Sequence, residues 1–308
     1  MKKLKYLLVI MTFMVSSCAT TGTKELNTLS ADSKKVLKIK TGPKMKVAVV
    51  DFENKSKYGQ ARLGSSASDI LVTELAKTGK FLLIEREKIE KIMMEQSFSM
   101  TGAVDPQTAV LAGKLLGASY LLTGSISQFG VNITSSDYLI TAGKKQTAEA
   151  AVDVRVIDTE TGSIILAESG KGEASKKTKE LLGMGKSSGY DERLEGEALR
   201  AAIVSTVKNI VKTLGEKPWC CTVAEVDGDS IYLDAGKESG LKTDDTLQLF
   251  RLGKEIKSPS SGLLIGRKKE KIGEIKIGEY FGSNGSIAEL KTGSKPLAGD
   301  RAFFPGRH

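Results

Sequence analysis

The residue with the most definite chemistry in this sequence is Cys18. It closes the segment Val15-Ser16-Ser17-Cys18, directly after a nine-residue apolar run from Leu7 to Val15, and Lys2, Lys3 and Lys5 stand before that run. A basic start, a short apolar core and small residues at the cut are the parts of an export signal. The run is too short to span a bilayer, which takes about 20 apolar residues. Small residues ending in cysteine match a bacterial lipobox. In such a signal the thiol is acylated, the chain is cut before the cysteine, and the new amino group is acylated as well. Stable anchoring needs more than one acyl chain. The reading is therefore a signal peptide over 1–17, lipidation at Cys18 and membrane lipid as a partner. By the enterobacterial sorting rule, Ala19, not being Asp, favours the outer membrane.

The other residues with chemical potential are placed poorly for it. The single histidine is His308, the last residue, where nothing fixes it as a general base. Without a Cys/His cluster there is no zinc pattern. Gly183 to Ser187, GMGKS, lacks the first glycine and preceding strand of a phosphate-binding loop. Ser205 to Lys208 fits S-x-x-K, but inside a long amphipathic helix. Asp227, Asp229, Asp244 and Asp245 are too few oxygen ligands for calcium and read as turn residues. Cys220 and Cys221 are adjacent; they either close a vicinal disulfide or alternate inward and outward along a strand. No catalytic residue, metal or cofactor is predicted, and the chain reads as a binding, assembly or conduit protein rather than an enzyme. Formal charge is +9, or +6 without the three signal lysines. That mild excess suits an anionic membrane surface, and export argues against nucleic acid as a partner.

Residues 18–44 form a Thr-, Ser- and Lys-rich tether ending at Gly42-Pro43. An α/β domain over 45–215 follows. Its first strand is Lys46–Phe52, with a polar loop over Glu53–Ser65. A helix over Ser66–Thr78 has Ala67, Ile70, Leu71 and Leu75 on one face and Gly79 at its end. Further elements are a strand over Phe81–Glu85, helices from Arg86 and from Pro106, and a strand over Tyr120–Ile126. Ala150–Asp158 alternates Val152, Val154 and Val156 against Asp153 and Arg155, and turns at Asp158–Gly162 into a hairpin. An amphipathic helix runs over Glu192–Leu214. From Trp219 the texture changes to six short strands between Gly and Asp turns, predicting a small all-β barrel or sandwich over 219–308.

The runs VAVVDFENKS, LVTELAKTGKFLLIEREKIEKIMMEQ, GKLLGASYLLTGSISQF and AVDVRVIDTETGSIIL resemble the CsgG/HfaB family of outer-membrane lipoproteins, related to the curli secretion channel. IYLDAGKESGLKTDDTLQLFRLG, PSSGLLIGRKKEKIGEIKI and PLAGDRAFF are similar to the carboxy-terminal domain of the flagellar assembly protein FlgT. The first resemblance implies a homo-oligomeric ring in which each subunit donates two hairpins to one barrel, with exported or envelope-assembly proteins as partners. The hairpins would fall at 127–156 and 168–190. In the first, Phe129, Val131, Ile133, Tyr138 and Ile140 form one apolar face. In the second, lysines 176, 177 and 179 lie close together and neither parity is apolar, so 171–190 is expected to be mobile in an isolated subunit. The family narrows its pore with a loop after the first strand; here that loop offers Tyr58 but no Asn-Phe pair. The leading reading is an outer-membrane ring serving secretion of surface or fibre subunits; the alternative is a periplasmic scaffold for envelope or flagellar assembly, without its own pore.

Cys18→Ser is expected to leave an uncleaved or soluble species. Mass spectrometry of the mature wild-type protein should find acyl chains on Cys18; an unmodified cysteine would refute the anchor.

Overall fold

A computed structural model describes residues 42–84, 111, 117–137, 141–181, 190–260, 262 and 264–305. The signal, Cys18, the tether, the helices expected from Arg86 and from Pro106, Tyr138, Ile140, the GMGKS segment and His308 lie outside them.

A mixed sheet has the order β3-β1-β4-β5-β6. Its strands are β1 (Met45–Val49), β3 (Phe81–Ile84), β4 (Tyr120–Asp137), β5 (Thr141–Asp158) and β6 (Ile164–Leu181), and the short β2 (Glu53–Asn54) pairs with β4. β1 lies parallel to β3 and β4, whereas β4, β5 and β6 run antiparallel. Helix α1 (Gln60–Lys77) covers β1, β3 and β4, and helix α2 (Arg193–Gly215) packs on β5, β6 and α1. The predicted stripe of α1 is fully internal at Ala67, Leu71 and Leu75. Gly79, at φ 63°, ends the helix in the left-handed conformation that favours glycine. On α2 the stripe of Ile203, Ile210, Val211 and Leu214 is buried, and Thr206 joins it by donating its hydroxyl to the Ile203 carbonyl.

β4, β5 and β6 are each 18 residues long, yet β1 pairs only with residues 120–122 of β4. Beyond the pairing of β2 with Ser125 and Ile126, the three strands extend as their own sheet. A bulge at Ser127 shifts the side-chain parity of β4, so the face of Leu122, Gly124 and Ile126 continues as Phe129, Val131 and Ile133. These residues stand beside Ala150, Ala148 and Gln146 of β5, and those beside Gly172, Ala174 and Lys176 of β6. Val152, Val154 and Val156 are buried on that face and Arg155 is exposed, as the alternation predicts.

Two expectations are corrected. Residues 168–181 are not the first arm of a second hairpin but part of one continuous strand paired with β5 through Leu181. For the same reason residues 171–181 are an ordered strand rather than a mobile segment. A lipid-facing strand would carry large apolar side chains on one face. Here the inner face of β6 is Gly170, Gly172 and Ala174, because α2 lies against it. A Cβ at Gly172 would sit 2.2 Å from the Ala198 carbonyl oxygen, and one at Gly170 2.1 Å from that of Ala202.

After α2 come β7 (Cys220–Asp227), β8 (Ser230–Leu233), β9 (Thr246–Lys257), β10 (Leu264–Phe281), β11 (Gly285–Gly293) and β12 (Arg301–Phe303). They close into a barrel in the order β10-β11-β8-β7-β12-β9 around Leu233, Leu247, Leu249, Ile275 and Ala302. Asp227-Gly228-Asp229 is the β7–β8 turn, with Gly228 at φ 58°.

Gly172→Ala should destabilise the protein by about 2–3 kcal/mol, because backbone must move to admit the methyl group. Gly130→Ala has open space at its Cβ position and should stay within about 0.5 kcal/mol of wild type. Urea unfolding of the two variants checks the contrast.

Candidate functional site

Polar side chains converge where α2 begins. Glu195, in the first turn of α2, is 4% exposed. Its carboxylate faces the positive end of the helix dipole. Tyr58 donates its hydroxyl to Glu195 Oε1 at 2.6 Å, and Arg62 donates from Nη2 to Oε2 at 2.9 Å. A buried carboxylate is tolerated because both oxygens are paired. The Tyr58 ring stacks on Phe129, with centroids 4.9 Å apart. The loop after β1, helix α1, strand β4 and helix α2 thus meet in one cluster. The loop itself is wound on Asn54, whose side chain donates to the Tyr58 carbonyl at 2.6 Å and accepts from Ser56.

Beside this cluster, Asp191 joins the chain entering α2 to the long strands. Its backbone N–H donates to Gln146 Oε1 at 2.8 Å, and Gln146 is 1% exposed. Its carboxylate accepts from Arg193 and from Lys176 Nζ at 2.9 Å. These cations hold the Asp191 carboxyl well below the usual carboxylate range. The Tyr190 hydroxyl is buried and meets no hydrogen-bond partner among the described residues. Burial, and then the negative charge of Glu195, raise its pKa.

Hydrogen bonding to Glu195 is the largest cause pushing the Tyr58 pKa up to about 12 from the ordinary 10.0. A tyrosine whose folded pKa is raised contributes stability that is fully present below the unfolded value near 10 and lost as pH rises through about 12.

A second polar junction joins β1 to the barrel. Lys46 Nζ donates to the Asp234 carbonyl at 2.6 Å and lies 3.3 Å from its carboxylate. Trp219, 3% exposed, donates from Nε1 to the Lys44 carbonyl at 2.9 Å. The crevice there measures about 20 Å³, room for one water molecule. Cys221 is buried and Cys220 half-buried, both as free thiols, in agreement with alternation along a strand. Burial raises both thiol pKa values, which keeps them protonated and unreactive.

The remaining sequence candidates separate. Phe129 and Val131 are half-buried and Ile133 is 45% exposed, all on the β4 side of the face that α2 covers over β5 and β6. Ser205 of the S-x-x-K pattern donates to the Ala202 carbonyl within its own helix. Asp244 pairs with Lys276 at 2.7 Å, and Asp245 accepts from the Lys242 N–H at 2.8 Å, both as turn residues. Among the described residues no group of three or more His, Cys, Asp or Glu could hold a metal ion, and no helix is long and apolar enough to cross a membrane. Sequence reasoning found Tyr58 but missed Glu195, Arg62 and Asp191. The available signal was an acidic residue in the first turn of a helix whose next turns carry Ala198, Ala201 and Ala202.

This is the architecture of an α/β protein with a latched helix over three long strands. Residues 31–243 match the family described as "Curli production assembly/transport component CsgG". The chain is 30% identical over 218 residues to NMB1126/NMB1164 of Neisseria meningitidis serogroup B, a protein with a provisional lipoprotein name; the alignment covers 67% of this chain and 91% of that one. The chain belongs to the CsgG family. Similar solved structures include lipoprotein GNA1162 from Neisseria meningitidis, at 12% identity and TM-score 0.35, covering 56% of this chain and 99% of that one. The LpoB C-terminal domain from Escherichia coli is another, at 20% identity and TM-score 0.32, covering 46% and 93%. A PelC dodecamer from Paraburkholderia phytofirmans is a third, at 15% identity and TM-score 0.27, covering 55% and 93%.

Tyr58→Phe should remove one late tyrosinate transition from an alkaline absorbance titration, with the difference from wild type centred near pH 12. It should also cost about 1–2 kcal/mol at neutral pH, read by urea unfolding, because Glu195 loses one of its two donors.

Proposed function

We propose that this protein is a lipid-anchored envelope-assembly lipoprotein, held at the outer membrane through acylated Cys18. In this reading it works as a scaffold on the periplasmic side, as a homo-oligomer through its α/β part, and without enzymatic activity. The observation that carries the scaffold reading is the fate of the apolar face of β4, β5 and β6. A membrane-spanning barrel needs a lipid-facing apolar band about 25 Å tall. Here α2 lies on the β5 and β6 part of that face, and Tyr58 stacks on Phe129 of β4. Above the helix it turns polar at Gln146 and Lys176, where Asp191 is bound. From Phe129 to Ile133 the apolar stretch is on the order of 15 Å. The opposite face sets Glu149 beside Glu173 and Lys145 beside Lys177, all exposed, which suits water and not hydrocarbon.

The export-pore reading keeps one observation in its favour. Strands of 18 residues exceed the roughly 9–11 that a spanning strand requires. It would require α2 and Tyr58 to leave the strands, and Tyr58 would then be free to line a constriction. The barrel of β7–β12 is proposed as a separate docking domain over 219–308, and the resemblance of its Gly-Asp turns to FlgT supports an assembly role.

Purification of the lipidated protein in mild detergent, followed by planar-bilayer conductance and electron microscopy, tests the choice. The expected outcome is particles or rings without a spanning detergent belt and no channel steps. Discrete conductance steps from belted rings would establish the pore instead.

A further inference from the structure

The pairing of β9 with β10 outruns the barrel. β12 pairs with β9 only at residues 248–250, and β11 pairs with β10 only from residue 273 onward. Residues 251–257 and 264–271 therefore pair only with each other and leave the barrel as a two-stranded ribbon. Its root is held by Arg251 on Asp300 at 2.9 Å and by Lys269 over the Phe303 ring at 5.0 Å. From Gly253 to Lys257 every residue of β9 is exposed.

The ribbon is basic. Between Arg251 and Lys271 there are seven Lys or Arg and two Glu, a formal +5 out of +9 for the whole chain. Its one outer carboxylate, Glu255, is shared by Arg267 at 2.7 Å and Lys257 at 3.4 Å. Lys254 and Lys268 are exposed and form no ion pair with the described residues. Near the tip, among these cations, Ile256 is 52% and Ile265 64% exposed. A polar glycan gives no reason to expose two isoleucines. A bilayer does, because cations meet the phosphates while short apolar side chains enter the headgroup boundary.

We infer that the β9–β10 ribbon is a docking arm for an acidic phospholipid surface, with Lys254 and Lys268 meeting headgroup phosphates and Ile256 and Ile265 inserting between them. The inference rests on the anchored-lipoprotein reading for a membrane within reach, but the contact itself needs no acyl chain.

The test uses the mature chain, residues 18–308 with Cys18→Ser, in sedimentation with vesicles of phosphatidylethanolamine and phosphatidylglycerol, and with vesicles of phosphatidylcholine alone. Binding to the acidic vesicles is expected, falling with added salt. Lys254→Glu with Lys268→Glu should weaken it about ten- to hundredfold, and Ile256→Ser with Ile265→Ser about tenfold. Lys254→Gln with Lys268→Gln gives a milder version of the charge test, and thermal unfolding by circular dichroism confirms that each variant is folded. Equal binding to both vesicle types, or acidic-vesicle binding unchanged in the folded variants, overturns the inference. So does binding to peptidoglycan sacculi or dextran sulfate without vesicle binding, which would assign the ribbon to a polyanion instead. Because no lipidated cysteine is present, a failure of the Cys18 reading leaves this result unaffected.

Discussion

The fold depends on how closely α2 approaches β6. Gly170 and Gly172 admit the helix backbone to a distance that any side chain would block, and Ala198, Ala201 and Ala202 answer them from the helix. Close approach of this kind gains dispersion contacts on both surfaces and leaves little room for adjustment. With the helix seated there, the position of its first turn is determined. Glu195 comes to lie within reach of Tyr58 and Arg62, and Asp191 beside Gln146 and Lys176. The buried carboxylate is a consequence of the seat. It needs both donors because the helix leaves it out of water.

One apolar face cannot be covered by a helix and by lipid at once. In the conformation described, the face of Ile126, Val152 and Ala150 is satisfied within the chain, while β2, β3, β6 and the length of β4 beyond Ile126 are edges of the mixed sheet. Backbone groups at an edge need water or another chain, and a closed barrel would satisfy them only in a full assembly. Burial of α2 residues such as Leu199, Ile203 and Ile210, each contributing about 1.5–3 kcal/mol, opposes any rearrangement that exposes this face. Export through a barrel would have to recover that free energy from lipid contact and subunit pairing.

The barrel of β7–β12 solves a different problem. Short strands close on themselves and leave no edge, so a small core around Leu247, Leu249 and Ile275 suffices. Lys46, Trp219 and Ser239 tie it to the start of β1 by hydrogen bonds. Its departure from a closed cylinder, the β9–β10 ribbon, is also where more than half of the chain's charge excess is concentrated.

Hydrophobic periodicity made much of this legible. The stripe of α1, the alternation of β5, the turn at Asp158–Gly162, the length of α2 and the six carboxy-terminal strands all follow from local pattern and turn chemistry, whereas the family follows from the resemblance of particular runs of sequence. β6 did not, because its inner face is built from glycine and alanine, and a strand that buries small residues under a helix carries no apolar alternation to read. The apolar face of Phe129, Val131 and Ile133 was visible, but not its partner. Periodicity identifies an apolar face, and only the tertiary structure supplies its partner, here the Tyr58 ring on Phe129. Tyr58 was likewise visible as a loop tyrosine. Its tie to Glu195 spans 137 residues of sequence, and pairings of that range are set by packing rather than by any local preference.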